Sequence, residues 1–181
     1  MTYPFFTIGH STRPTPEFVD LLRPSGIRTV VDVRTMPRSR TNPQFNFDVL
    51  PESLRPFQIG YCHVRKLGGL RARRKGDAPS PNGLWRNTSF RNYADYALTE
   101  DFSDGLEELL GLGREGPCAI MCAEAVWWRC HRRIISDYLL AAGHEVFHIM
   151  GPEKVEPAKM TPGAEPQPDG GILYPPSTSG A

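Results

Sequence analysis

The 181-residue chain lacks any apolar run long enough to cross a bilayer. Its long apolar runs, such as Ile27 to Val33 with Arg28 inside, fall far short of the roughly 18 residues a membrane helix needs. It also lacks a basic region followed by a long apolar stretch near Met1, so no signal peptide is read and a cytoplasmic location is expected. There is no Cys-x-x-Cys pair and no His-Glu-x-x-His motif, so no metal site is assigned, although cysteines and histidines are present. No Gly-x-Gly-x-x-Gly fingerprint and no Walker-type loop are read, which argues against dinucleotide and P-loop enzymes. Cysteine is scarce: Cys62, Cys118, Cys122 and Cys130 follow no small-domain disulfide spacing and are expected as thiols. No internal repeat is visible.

What is present suits one folded unit. With 39% hydrophobic and 10% aromatic residues the chain can bury one core, but it is short for two domains. Net charge is only +1, yet the basic residues are mostly arginines and they cluster at Arg34–Arg40, Arg65–Lys75 and Arg129–Arg133. Arginine forks match phosphate and carboxylate groups, so an anionic small molecule or a nucleic-acid backbone is the expected kind of partner, with no membrane. The plain alternative, a set of solvated surface arginines, applies above all to Arg71–Lys75.

Phe5–Ile8 reads as a first strand. Thr15 as N-cap, Pro16 and Glu17 then open a helix, and Arg28–Val33 is a β-branched run of the kind found in buried parallel strands. A short helical stretch near Phe47–Leu54 leads to a weaker strand at Gly60–Val64, and Leu67-Gly-Gly69 breaks the chain. Residues 70–88 read as a long mobile loop, followed by helical spacing of Phe90, Tyr93, Ala94 and Ala97 and then of Phe102, Leu106, Leu109 and Leu110, stopped by Gly113 and Gly116-Pro117. Strand Cys118–Cys122, a turn, a helix from Cys130 to about Ala142 capped by Gly143, and strand Glu145–Ile149 complete the unit. The expected architecture is a single three-layer α/β domain over residues 1–150 with a mostly parallel sheet of about five strands. Residues 151–181, with seven of the eighteen prolines and no apolar period, are expected to form a disordered tail.

Ligands of such sheets bind beyond the carboxyl ends of the strands. His10, Ser11 and Arg13 follow the first strand, Arg34 the second, His63 and Arg65 the third, and Cys122, Glu124 and Arg129–Arg132 the fourth, so every polar cluster falls on that one edge. Cys130, in the first turn of its helix beside Arg129, His131 and Arg132, is expected as an activated thiolate; the alternative is a cysteine buried between helix and sheet. Cys122 ends an apolar strand, and Glu124 is either an acid–base group or an ion-pair partner of Arg129 or Arg132. Trp127 and Trp128 are read as stacking surfaces or as core. His10, Ser11 and Arg13 offer an imidazole, a hydroxyl and a guanidinium in one turn, and Asp32 and Arg34 are expected on opposite faces of their strand. Tyr61, Tyr93 and Tyr96 are read as core or rim residues.

Taken together, Thr7-Ile-Gly-His-Ser11, Asp32-Val-Arg34, Pro37-Arg-Ser39, Leu67-Gly-Gly69, Tyr93-Ala-Asp-Tyr96 and Met121-Cys-Ala-Glu124 with Cys130-His-Arg132 resemble the bacterial and archaeal family of domain of unknown function 488 over about residues 5–150. The resemblance implies an α/β fold and no established activity. Two looser likenesses exist. Cys130-His131-Arg132 is similar to the Cys-His-Arg core of DNA alkyltransferases, whose cysteine accepts an alkyl group. Val31-Asp-Val-Arg34 with Cys122 ahead of an arginine-bearing loop resembles rhodanese-type sulfurtransferases, but the Cys122–Arg129 segment is longer and bulkier than their thiolate loop.

The leading expectation is a thiol-dependent enzyme acting on a nucleotide or nucleic-acid substrate. In it Cys130, His131, Glu124 and His10 do the chemistry, and Ser11, Arg13, Arg34, Arg129, Arg132, Cys122 and Trp128 bind. The rivals are a non-catalytic nucleic-acid-binding module and rhodanese-like sulfur transfer. No cofactor is named by the sequence.

Overall fold

Two short segments are buried along their whole length, Phe5–Gly9 (β1) and Cys118–Cys122 (β4), which is the mark of strands covered on both faces. In the computed structural model, which describes residues 2–177, they lie side by side at the centre of the sheet. Thr29–Asp32 (β2), Gly60–His63 (β3), Val146–Gly151 (β5) and Lys154–Pro157 (β6) complete a six-stranded sheet of order β3-β2-β4-β1-β5-β6. All neighbours are parallel except β5 and β6. The expected mostly parallel α/β sheet is therefore present, with one added antiparallel edge strand.

The alternation of side chains along each strand divides the core in two. Phe6, Ile8, Val30, Ala119 and Met121 pack under Thr15–Leu22 (α1) and Leu50–Leu54 (α2). Phe5, Val31, Ile120 and Cys122 pack under Thr88–Tyr96 (α3), Glu100–Glu115 (α4) and Arg132–Ala141 (α5). The chain leaves β1 toward the β2 side across the first face and leaves β4 toward the β5 side across the second. Adjacent strands whose connections diverge in this way open a crevice beyond their carboxyl ends.

Boundaries differ from the sequence reading where packing outweighs local signals. Thr15 is the first residue of α1 behind Pro14 and makes no side-chain cap. Gly111, Gly113 and Gly116 do match the spacing Gly-x-Gly-x-x-Gly, but they end α4 ahead of a strand, outside the context that binds dinucleotides. Gly113 does not stop that helix; a Cβ there would lie 2.4 Å from the Phe5 ring, so glycine lets α4 sit directly on the sheet. Gly143, at φ +90°, follows α5 as expected.

The expectation of a disordered tail from residue 151 is corrected over residues 151–177. β6 pairs with β5, a small hairpin of Glu165–Pro166 (β7) and Ile172–Leu173 (β8) follows, and Ile172 and Tyr174 are fully buried. The Tyr174 hydroxyl donates to Asp137 Oδ2 over 2.8 Å, and its backbone N–H donates to Asn82 Oδ1 over 2.9 Å. Isolated anchors of this kind leave no apolar period to read. Asn82 and Trp85 are also buried, so the 70–88 segment is anchored at its far end. Residues 178–181 of the expected tail lie outside the described residues. Among the described residues no helix is long and apolar enough to cross a membrane.

Candidate functional site

The crevice beyond β1 and β4 holds a pocket of about 660 Å³. His10, Ser11, Arg34, Cys122, Glu124, Arg129, Cys130 and His131, all singled out from the sequence, line it. Arg132 lies directly behind its wall, hydrogen-bonded to the Cys122 sulfur. Arg13 and Trp128 do not line it: Arg13 turns back to the Gly9 carbonyl and toward Glu17, and Trp128 lies edge-on against Trp127.

Cys130 is not in the first turn of a helix. It is extended and lies two residues ahead of α5, after a 3-10 turn over Trp127–Arg129, and this drops its side chain against the end of β4. Its Sγ comes 2.7 Å from Cys122 Sγ, and the first helical N–H, that of Arg132, points at Cys130 Sγ from 3.4 Å. All four cysteines are thiols.

The Arg132 side chain is buried with 1% exposure, and it has no carboxylate partner among the described residues. Nε donates to Cys122 Sγ over 3.0 Å, Nη1 to Thr7 Oγ1 over 3.0 Å and Nη2 to the Glu124 carbonyl over 2.8 Å. A buried guanidinium needs a compensating charge, and the sulfur pair is what lies against it. Burial pushes the Cys130 thiol up. The hydrogen bond with Cys122, the charge of Arg132 and its backbone N–H outweigh that effect and bring Cys130 down to about 7. Burial, and the same hydrogen bond, push Cys122 well above the ordinary thiol range. The guanidinium Nε is on Cys122, yet Cys130 is the sulfur that ionises first, because it also takes the Arg132 backbone N–H and the one proton left to the pair then stays on Cys122.

His131 Nε2 is 2.7 Å from the Val33 carbonyl, so that nitrogen carries the hydrogen, and Nδ1, 3.5 Å from Cys130 Sγ, presents its lone pair to the sulfur. Burial lowers the His131 pKa. The ring is seated by parts the sequence reading left without a role. Tyr93 packs edge-on against it at 5.0 Å, and the Tyr93 hydroxyl donates to the Leu67 carbonyl over 2.8 Å. A Cβ on Gly69 would lie 2.6 Å from His131 Nδ1, so Leu67-Gly68-Gly69 is where the chain yields room for the imidazole. Gly9 does the same for the Glu124 carbonyl, which a Cβ would meet at 1.8 Å. Only the family-like motifs marked these positions in the sequence.

Asp32 and Arg34 do not face opposite ways. Residues two apart on a strand share a face, and the two form a buried bidentate pair, Nε–Oδ1 2.9 Å and Nη2–Oδ2 2.7 Å. Tyr61 also donates to Asp32 Oδ2, and Arg34 Nη2 donates to the Phe45 carbonyl over 2.6 Å. His10 stacks on Phe45, donates from Nδ1 to the Ser11 carbonyl over 2.7 Å and accepts from Arg34 Nη1 at 3.3 Å. Burial, with the Arg34 charge, lowers its pKa to about 4 despite the carbonyl contact. The charge of Arg34 is thus already matched, and the His10 lone pair is already engaged.

The rim differs. Arg129 is exposed, Arg38 lies over the Phe47 ring at 5.8 Å, and neither has a carboxylate partner among the described residues. The Glu124 carboxylate pairs with neither Arg129 nor Arg132; only its backbone carbonyl is used, by Arg132 and the Cys122 thiol. Ser11, Ser39, Thr41 and Asn42 add polar groups to the lining. Among the described residues no group of three or more His, Cys, Asp or Glu side chains is arranged to hold a metal ion.

A family profile described as "Domain of unknown function DUF488" matches residues 14–139, a span that takes in the Cys122–Arg132 segment but not His10. No curated protein and no solved structure matches the chain.

Proposed function

The chain belongs to the DUF488 family, whose description carries no activity to inherit, and from that premise we propose that the pocket is the active site of a thiol-dependent enzyme acting on a small anionic substrate of nucleotide size. The observation that carries this reading is the buried Arg132, set against two sulfurs instead of a carboxylate. Cys130 is the nucleophile. His131 Nδ1 takes its proton, and the Cys122 thiol and the Arg132 N–H steady the thiolate. Arg129 and Arg38, uncommitted at the rim, hold the substrate's charged group, with Ser11 and Ser39 as hydrogen-bonding neighbours and Glu124 orienting it. The pocket volume of about 660 Å³ lies within the ordinary range for such ligands. His10 acts as a positioning residue for Arg34, not as a proton carrier.

The rivals draw less support. Arg71 is spent on the Tyr96 ring, 3.8 Å away, and on the Gly68 and Arg65 carbonyls, and Trp127 stacks inward on His148 at 4.5 Å, which withdraws one arginine and one tryptophan from the nucleic-acid-binding reading. Cys122, the sulfur in the rhodanese position, is buried and held well above the ordinary thiol range, which disfavours it as a sulfur acceptor.

Paired alkylating agents test the proposal. Iodoacetate and iodoacetamide react at the same carbon and differ by one negative charge. Cys130 is expected to favour iodoacetate over iodoacetamide more strongly than a free thiol does, and Arg129→Gln is expected to remove that preference. A Cys130 with no preference for the anion contradicts the substrate class, and a Cys130 that alkylates no faster than a free thiol contradicts the thiol mechanism.

A further inference from the structure

Cys122 has a geometry that assisting a nucleophile does not require. Its sulfur is 2.7 Å from Cys130 Sγ, about 0.7 Å beyond a disulfide bond length, and both residues line the same pocket. Cys62 and Cys118 share that face of the sheet but neither sulfur is hydrogen-bonded to another cysteine: Cys62 is turned to Glu108 over 3.9 Å, and Cys118 is sealed in the core beside the Gly116 carbonyl.

We propose that Cys130 and Cys122 form a two-cysteine redox couple that reduces hydroperoxides, with Cys130 attacked first and Cys122 as the resolving thiol. The proposal rests on the reading of Cys130 as the nucleophile and adds a substrate class and a second bond. In the first step the Cys130 thiolate attacks the terminal oxygen of a hydroperoxide, an S–O bond forms and the O–O bond breaks. A proton passed through His131 Nδ1 from solvent, matching the one Cys130 released on ionising, goes to the leaving alkoxide or hydroxide, so the products are a Cys130 sulfenic acid and an alcohol or water. In the second step Cys122 sulfur attacks Cys130 sulfur, the S–O bond breaks, and the Cys122 proton leaves with the hydroxide as water. The two sulfurs give up two electrons in all, and the peroxide takes them. A small dithiol reductant, itself oxidised to its disulfide, returns both thiols.

Three features favour this order. The donors around Cys130 make it the sulfur that ionises, whereas Cys122 keeps its proton and is protected from direct attack. His131 Nδ1 is beside Cys130 to relay the proton that the leaving group needs. Cys122 already touches Cys130, so resolution needs only closure over a fraction of an ångström, which protects the sulfenic acid from further oxidation.

The test is oxidation of the full chain with one equivalent of hydrogen peroxide, followed by non-reducing peptide mapping, with Cys62→Ser as a control. The expected product is one peptide pair joined through Cys122 and Cys130 and returned to thiols by dithiothreitol. In Cys122→Ser that crosslink is lost, and a dimedone adduct appears on Cys130. Circular dichroism of the variant confirms that it is folded, and the wild-type result stands without it. A Cys130 sulfinic acid in the wild type without a crosslink, or a crosslink through Cys62, overturns the proposal. If Cys130 alkylates readily at neutral pH and still gives no such bond, the couple fails and the nucleophile stands; if Cys130 neither alkylates nor oxidises, both fail.

Discussion

Arg132 Nε donates to Cys122 Sγ over 3.0 Å, and this guanidinium is buried without a carboxylate partner among the described residues. Such an arrangement is stable only if the sulfur pair carries negative charge or the remaining donors are well spent, and here Thr7 Oγ1 and the Glu124 carbonyl take them. Thr7 is held in turn by the His148 ring, 2.6 Å away. A chain of buried polar groups therefore runs from the last parallel strand to the pocket wall.

Replacing Arg132 with Leu removes the charge and three donors at once. The pH of half-alkylation of Cys130 is expected to rise by a unit or more, each unit being about 1.4 kcal/mol, and stability to fall by roughly 1–3 kcal/mol for the acceptors left unpaired. Urea unfolding and residue-resolved alkylation read the two effects separately. An unchanged Cys130 profile in a folded Leu variant contradicts the role given to the guanidinium.

Gly69→Ala alters no polar group, yet its Cβ would lie 2.6 Å from His131 Nδ1. The imidazole must move, so Cys130 alkylation at neutral pH is expected to slow, with a stability cost of about 1–3 kcal/mol from overpacking. Gly60→Ala, where a Cβ meets nothing closer than 3.6 Å, is the control and is expected to leave the rate unchanged. Equal rates in wild type and Gly69→Ala contradict the seating of His131.

Much of this site was legible before any coordinates, and the failures have physical reasons. Parallel strands buried on both faces announce themselves as short apolar runs, and the rule that ligands sit beyond strand ends gathered His10, Arg34, Cys122 and Cys130 at one edge. What local sequence does not carry is the direction of a long side chain. Arg132 points inward to sulfur and Arg13 back to its own strand, although both are arginines flanking polar turns. Asp32 and Arg34 pair on one face, against the expectation of opposite faces, because a spacing of two along a strand returns the side chain to the same side. The approach of Cys122 to Cys130 is set by the 3-10 turn between them, which has no sequence signature of its own. Tyr174 is anchored by single contacts to Asp137 and Asn82, invisible to any search for periodicity.

Tyr174→Phe tests that last point. Its hydroxyl is the donor to a buried carboxylate oxygen, so its loss is expected to cost about 1–3 kcal/mol in global stability. Chemical denaturation measures it. A neutral substitution shows that residues 161–174 contribute little to the fold.

Stability is expected to fall as pH drops from about 6.5 toward 4. Burial lowers His10 to about 4 and His148 to about 3, from an ordinary 6.5, so the unfolded chain binds protons in this window that the folded chain cannot. For a base with a depressed folded pKa, stability is complete above the unfolded value and is lost on acidification toward the folded one. His10 alone accounts for up to roughly 3 kcal/mol. Urea unfolding at about pH 7 and about pH 4.5 is expected to show the loss, with a shallower one in His10→Gln. Equal losses in both proteins contradict a neutral, buried His10.

The central claim is that Cys130 is a thiolate near neutral pH while Cys122, in contact with it, is not. Residue-resolved alkylation with iodoacetamide across the pH range, read by mass spectrometry, measures this directly. The account predicts half-maximal reactivity of Cys130 at about pH 7 and no comparable reaction of Cys122 until far more alkaline conditions. A Cys130 that titrates at or above the ordinary thiol value of about 8.5, or reacts only together with Cys122, contradicts it.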